Sequence, residues 1–214
     1  MSNLNQDPYF SRPEVSNSDL TALKYEMAGY ELPDMTDIFA FGNLVDAMIT
    51  EPHRIDWWRK LLDDNPAKDF DIAKKMYDVA KNDYSVASIL KNSKMQHVSI
   101  GRRKFNHIGI DFELNCRCKW DFFGHISGDI KTTAATTQKQ FEAACLYFDY
   151  PRSRAWYMDL EKTGRDIIIG ISKVNFKIFF MPIERNDKMY NIGKQQYTEL
   201  AFRYWAIYGN ALNR

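Results

Sequence analysis

Two acidic side chains and a lysine between Leu114 and Thr133 have the types and spacing to do chemistry. From Leu114 to Asp121, Leu114, Cys116, Cys118 and Trp120 alternate with Asn115, Arg117, Lys119 and Asp121. This is the period of a half-buried strand. Gly124 and Gly128 supply turn chemistry, and Ile126 is expected to begin the next strand. Asp129 and Lys131 then share one face, with Ile130 on the other. If the two strands pair as a hairpin, Asp121, Asp129 and Lys131 meet on one polar face near the turn. Two carboxylates and an ammonium converging there can hold a divalent metal and a phosphate. Glu113 continues the polar face, but it lies about 26 Å from Asp121 along a straight strand and stays outside the cluster.

A third acid comes from a helix expected over residues 38–51. Phe41, Leu44, Val45, Met48 and Ile49 recur at helical spacing, with Gly42 and Asp46 one turn apart on the edge of the stripe. A glycine inside a helix costs roughly 1 kcal/mol relative to alanine and usually serves close approach of another group. Asp46 is either aimed into a cleft or an ordinary boundary aspartate. Further upstream, Ser16 or Ser18 can cap a helix running to about Tyr30. The same helix end can receive a phosphate, but the local sequence favours the cap.

The elements that must position these groups follow in order. Short helices are expected over residues 56–62 and 83–90, with an amphipathic helix over 70–81 between them and a loop at Asp63-Asp64-Asn65-Pro66. Extended segments follow from Gln96 to Asp121. The helix of residues 137–148 turns Phe141, Ala144, Cys145 and Phe148 inward, and another begins at Pro151. Strands over 166–171 and 176–183 and a long helix over 190–212 close the chain. Its aromatic stripe, Tyr197, Tyr204, Trp205 and Tyr208, reads as core or subunit interface. Helices, meander, helices, strands and helix in this order imply an α/β or α+β fold.

The chain has 214 residues, which suits one domain over 1–214 with an irregular arm over 1–15. A net charge of +1 excludes a generally basic nucleic-acid coat. Local contacts would have to come from Arg102-Arg103-Lys104 or from Arg152 with Arg154, and each alone reads as a solvated edge. The three cysteines read as buried free thiols in a reducing cytoplasm. No apolar run spans a bilayer, and no signal segment is read at Met1–Phe10. GxGxxG, Walker A, Gly-x-Ser-x-Gly and His-Glu-x-x-His are absent, which disfavours a small-molecule enzyme. His53, His97, His107 and His125 show no ligand spacing, and His125 reads as an exposed turn residue.

Asp121, the glycine turn and Gly128-Asp-Ile-Lys-Thr-Thr133 together resemble the core of PD-(D/E)xK nucleases. More closely, the chain is similar to phage and prophage RecE-type exonucleases and their RecB-like relatives. Ser16-Asn-Ser-Asp-Leu20 resembles their Ser-x-Ser-x-Leu. Gly42-Asn-Leu-Val-Asp46 resembles their Gly-x-x-x-His helix, with aspartate in place of histidine. Ser153-Arg-Ala-Trp-Tyr157 stands where they carry Gln-x-x-x-Tyr. The likeness spans roughly residues 15–185 and implies a restriction-endonuclease-like core, a central mixed sheet with a meander flanked by helices.

The resemblance implies metal-dependent hydrolysis of linear double-stranded DNA. Asp121, Asp129, the Ile130 carbonyl and Asp46 would hold Mg²⁺ or Mn²⁺. Lys131 would orient the attacking water or stabilise the transition state, and Thr132 would support the phosphate. Arg154 and Tyr157 would contact DNA, and Ser16 and Ser18 would grip a 5′ phosphate. It further implies a ring-shaped homo-oligomer and a single-strand annealing partner. The main rival is a nuclease-fold DNA-binding module with weakened catalysis, which the departures at Asp46 and Ser153 favour. A second rival is a structural protein whose polar hairpin face is merely solvated.

Overall fold

The computed structural model describes residues 7–30, 36–62 and 65–212. The start of the N-terminal arm and Asp63-Asp64 of the expected loop lie outside them. β1 (Ser93–His107) and β2 (Ile110–Gly124) form a long antiparallel hairpin. It turns through Ile108 and Gly109, at φ +48° and +80°. Two-residue turns with positive φ at both centres match strand twist; glycine adopts this freely, whereas the β-branched Ile108 is strained there.

β3 (Gly128–Thr133), β4 (Arg165–Ser172) and β5 (Ile178–Glu184) complete a sheet of order β1-β2-β3-β4-β5. β3 and β4 are parallel and the other neighbours antiparallel. A parallel step needs a crossover, which α6 (Gln138–Tyr147) and α7 (Tyr150–Glu161) supply. The α+β class is the one expected from the element order, and the mixed sheet with its antiparallel meander is the architecture the nuclease resemblance implies.

Alternate residues of the strands feed two cores. Ile168 packs with Cys118, Trp120, Phe141, Trp156 and Tyr197, beneath α1 (Asn17–Met27), α6, α7 and α8 (Lys188–Leu212). Ile169 and Ile171 pack with Leu44, Val45 and Met76 of α2 (Thr36–Thr50) and α4 (Pro66–Asn82). A 3₁₀ turn at Pro52–Arg54 and the short α3 (Ile55–Arg59) join those two helices, and α5 (Tyr84–Lys91) leads into β1. Gly128 is needed where β3 meets β4, because a Cβ there would lie 2.0 Å from the Ile167 carbonyl oxygen.

Three expectations change. Ile126 stays in the turn: Ser127 Oγ accepts from the Gly124 N–H at 3.2 Å, and the strand begins at Gly128. Phe148 does not turn inward. It is the C-cap of α6 and is exposed, because the chain breaks at Asp149, whose φ is +55°. The arm is irregular but anchored, with Val15 N–H donating to the Asn115 carbonyl and Asp7 pairing with Lys119. Cys116, Cys118 and Cys145 are free and buried, and burial pushes each thiol up to about 12. Among the described residues no helix is long and apolar enough to cross a membrane.

Candidate active site

Simple alternation would leave Asp121 on the face of Arg117 and Lys119. The structure instead switches faces there. Trp120 and Cys118 belong to the core under α7, whereas Phe122 belongs to the core under α2 and Phe123 packs back on the first. β1 switches opposite: His97 stacks on Phe123, and Met95 joins the α2 side. Between them Gln96 has φ +52°, and Gln96 with the opposed Asp121 is the pair missing from an otherwise continuous register. Such a local irregularity re-aims a side chain. Here Asp121 stands within reach of Asp129 and of Asp46.

The ladder between β2 and β3 is the single pair Phe122–Gly128. Asp121 and Asp129 are the next residues past it, facing across the strands. Asp121 Oδ2 accepts the Ile130 N–H at 2.7 Å. Burial first, then the charges of Asp129 and Asp46, push the Asp121 carboxyl well up. Burial alone would raise Asp129 too, but Lys131 and Arg154 outweigh it and hold its carboxyl below the ordinary aspartate range. A side-chain hydrogen bond with Asp121 adds to that lowering. Lys131 Nζ forms a close ion pair with Asp129 Oδ2. Despite burial, Asp129 and Asp121 raise the lysine's affinity for its proton.

Asp46 approaches from α2. Its Oδ1 accepts from Thr50 Oγ1 at 3.0 Å and its Oδ2 from Gln96 Nε2 at 3.2 Å. Burial is the main cause that pushes its carboxyl to about 6, with Asp129 and Glu51 adding and Thr50 and Lys131 opposing. A Cβ on Gly42 would meet Thr132 Oγ1 at 3.6 Å, an ordinary contact, so the glycine admits Thr132 without being forced.

Arg154 departs from expectation. It is not part of a solvated edge; it is 1% exposed, its guanidinium withdrawn from the surface. It sits 3.6 Å from Asp129 Oδ1 and 3.7 Å from Asp166 Oδ2, with its guanidinium 4.1 Å from the centroid of Tyr157. Tyr157 is thereby a ring packed on an interior cation. Arg152 is buried as well, donating to Asn17 and Thr21. Ser16 is the N-cap of α1 and shares a capping box with Asp19, so its hydroxyl and N–H are both engaged. Ser18 is exposed in the first turn.

Sequence reasoning missed Gln96, Tyr150 and Asp166. Gln96 carries no local signal, since its role depends on its backbone conformation. The Tyr150 ring lies 5.5 Å from Lys131 Nζ. Asp166 had a signal in an acid opening the run Ile167-Ile-Ile169. Burial pushes its carboxyl to about 8 against the pull of Arg154, and neither oxygen has a hydrogen-bond partner among the described residues.

No three Asp, Glu, His or Cys side chains among the described residues stand as a preformed metal cage. The donor set is nonetheless hard oxygen throughout, and two of its acids, Asp121 and Asp46, are raised by burial and by the charge of Asp129. These residues fit a hard divalent cation, which takes carboxylate and carbonyl ligands.

A mixed sheet flanked by helices, with two acids and a lysine at a strand junction, defines a PD-(D/E)xK nuclease-type fold. The chain matches, over residues 17–211, the family described as PDDEXK-like domain of unknown function (DUF3799), and it belongs to that family. PD-(D/E)xK nucleases generally use divalent metal ions. No curated protein matches the chain. A solved structure titled "Crystal structure of SSO0001" is 13% identical, with 87% of this chain and 85% of that one covered and a TM-score of 0.36; a likeness that low carries no argument.

Proposed function

We propose that this chain is a metal-dependent deoxyribonuclease acting on linear double-stranded DNA. The observation that carries the reading is the apposition of Asp121 and Asp129 beside Lys131, with Asp46 within electrostatic reach. Phosphodiester hydrolysis is extremely slow unassisted, and only positioned positive charge stabilises the developing phosphoryl charge enough. In this reading Asp121, Asp129 and the Ile130 carbonyl, with Asp46, would hold Mg²⁺ or Mn²⁺. Such a cation supplies Lewis-acid stabilisation and acidifies water. Lys131 orients the attacking water or meets the charge on the phosphoryl oxygens, and Thr132 donates to the phosphate. Arg154 holds Asp129 from behind. Ser18 is the hydroxyl left for a 5′ phosphate.

The RecE-type resemblance supports the finer form: an exonuclease of phage recombination in the cytoplasm, forming a ring and working with a single-strand annealing protein. The test is digestion of end-labelled linear duplex beside a closed circle, with Mg²⁺ titrated. The expected result is loss of the linear form only, and a drop of at least about 100-fold in Asp129→Asn. Undiminished cleavage by Asp129→Asn would remove that residue from catalysis, and a cut circle would overturn the exonuclease form. One observation favours a binding module instead: the acid pair is already satisfied internally by Lys131 and the Ile130 N–H. DNA binding indifferent to metal and without product would support that alternative.

A further inference from the structure

The α6–α7 junction leaves aromatic surface where the helical period places core. Phe141, Cys145 and Phe148 share a face, yet Phe148 is 56% and its neighbour Tyr147 82% exposed. The cause is the left-handed Asp149, a conformation aspartate tolerates better than most residues. Single exposed apolar residues are ordinary, whereas adjacent large ones mark interaction sites.

These rings lead to the acid cluster. Tyr147 meets Phe148 edge-on at 5.0 Å and 86°. Phe148 stacks on Tyr150 at 5.8 Å and 24°. Tyr150 in turn carries the ammonium of Lys131, which is paired with Asp129. Three aromatic rings thus run from solvent to the lysine. The one acid in the step is neutralised: Lys24 Nζ lies 2.5 Å and Arg152 Nη1 3.3 Å from Asp149 Oδ2. A polyanion approaching the step meets no uncompensated carboxylate from Asp149.

The geometry points to Tyr147 and Phe148 as a stacking platform for an unpaired base on the strand whose phosphate lies at Asp121, Asp129 and Lys131. This rests on the nuclease reading and assigns the substrate one feature more: a base unstacked beside the reacting phosphate. A nucleic-acid strand is the occupant that carries a flat apolar ring and a phosphate on one chain. Every base has a π-face, so the platform is indifferent to sequence.

Binding is measured in EDTA, apart from cleavage, with the full chain. The probes are a single-stranded oligonucleotide carrying 2-aminopurine and a blunt duplex of the same sequence. Phe148→Ala and Tyr147→Ala are expected to weaken single-strand binding by roughly 5- to 150-fold, the range of base–aromatic stacking. They should restore 2-aminopurine fluorescence and change blunt-duplex affinity less than about twofold. Phe148→Trp should retain both affinity and quenching. Both side chains are exposed, so folding is kept, as far-ultraviolet dichroism will check. Unchanged single-strand binding, or equal loss on both probes, overturns the platform. So does a change in sedimentation with nucleic-acid binding intact, which would make the step a contact between copies. If the parent chain cleaves with Mg²⁺ but the variants do not discriminate, the platform alone fails. If it binds and discriminates but never cleaves, the nuclease reading fails and the platform stands.

Discussion

Asp159 and Asp121 lie in two polar networks of one molecule and have opposite chemistry. Asp159, on α7, is saturated with donors. Oδ1 accepts from Arg185 Nη1 at 2.5 Å and Tyr190 Oη at 2.6 Å, and Oδ2 from Arg103 Nη2 at 3.2 Å and the Tyr197 hydroxyl. Burial would raise its carboxyl, but those hydrogen bonds and charges lower it. Asp121 has one backbone donor and two neighbouring acids, and Asp166 has none among the described residues. The first network ties α7, α8 and β1 together. The second holds acids above their ordinary range, where burial and like charge keep protons on them. Buried carboxylates that are fully donated to build the fold; those left short of positive charge are where a cation or phosphate has something to gain.

Three experiments break or sharpen that contrast. The largest effect is on stability. Asp159→Asn leaves Arg103 and Arg185 without a charged partner and should cost about 2–4 kcal/mol in urea unfolding. Asp121→Asn puts a neutral amide of the same shape where burial and two neighbouring acids push the carboxyl well up, and should stay within about 1 kcal/mol of the parent. Equal losses would dissolve the distinction. The next effect is linkage to metal. Mg²⁺ should raise the melting temperature, by an amount worth about 2.7 kcal/mol at a hundredfold excess over Kd, in the parent and not in Asp121→Asn with Asp129→Asn. A metal response that survives this double substitution would locate the cation elsewhere. The smallest is a pH slope. Asp166 titrates near 8 when folded and near 3.8 when unfolded. Between those values the folded chain keeps a proton the unfolded chain has lost, so stability falls as pH rises. Asp166→Asn should flatten that fall between pH 5 and 8 in denaturant titrations; an unchanged slope would assign it to other groups.

Much of the architecture was legible because periodicity reports burial. The alternation in β2, the apolar run of β4 and the stripe of α2 each put core residues on the right elements. The convergence of the candidate site was only half legible. Asp129 and Lys131 share a face by strand geometry alone, but Asp121 meets them where both strands of the hairpin switch faces, opposite Gln96. That switch is a backbone event without a residue signature. Arg154 read as a surface cation because its partners, Asp129 and Asp166, lie on β3 and β4, beyond any local window. Phe148 read as core because the period continued through it, while the left-handed Asp149 ended the helix one residue earlier.

Cys116, Cys118 and Cys145 sit at 0% exposure with their thiols held protonated, which makes them clocks. A disulfide reagent reaches a buried thiol only when its surroundings open, and only a thiolate attacks. All three thiols face the one core under α6, α7 and α8, so the labelling half-life of Cys118 in the hairpin against Cys145 in α6 reports which wall of that core loosens first, without any nucleic acid in the tube.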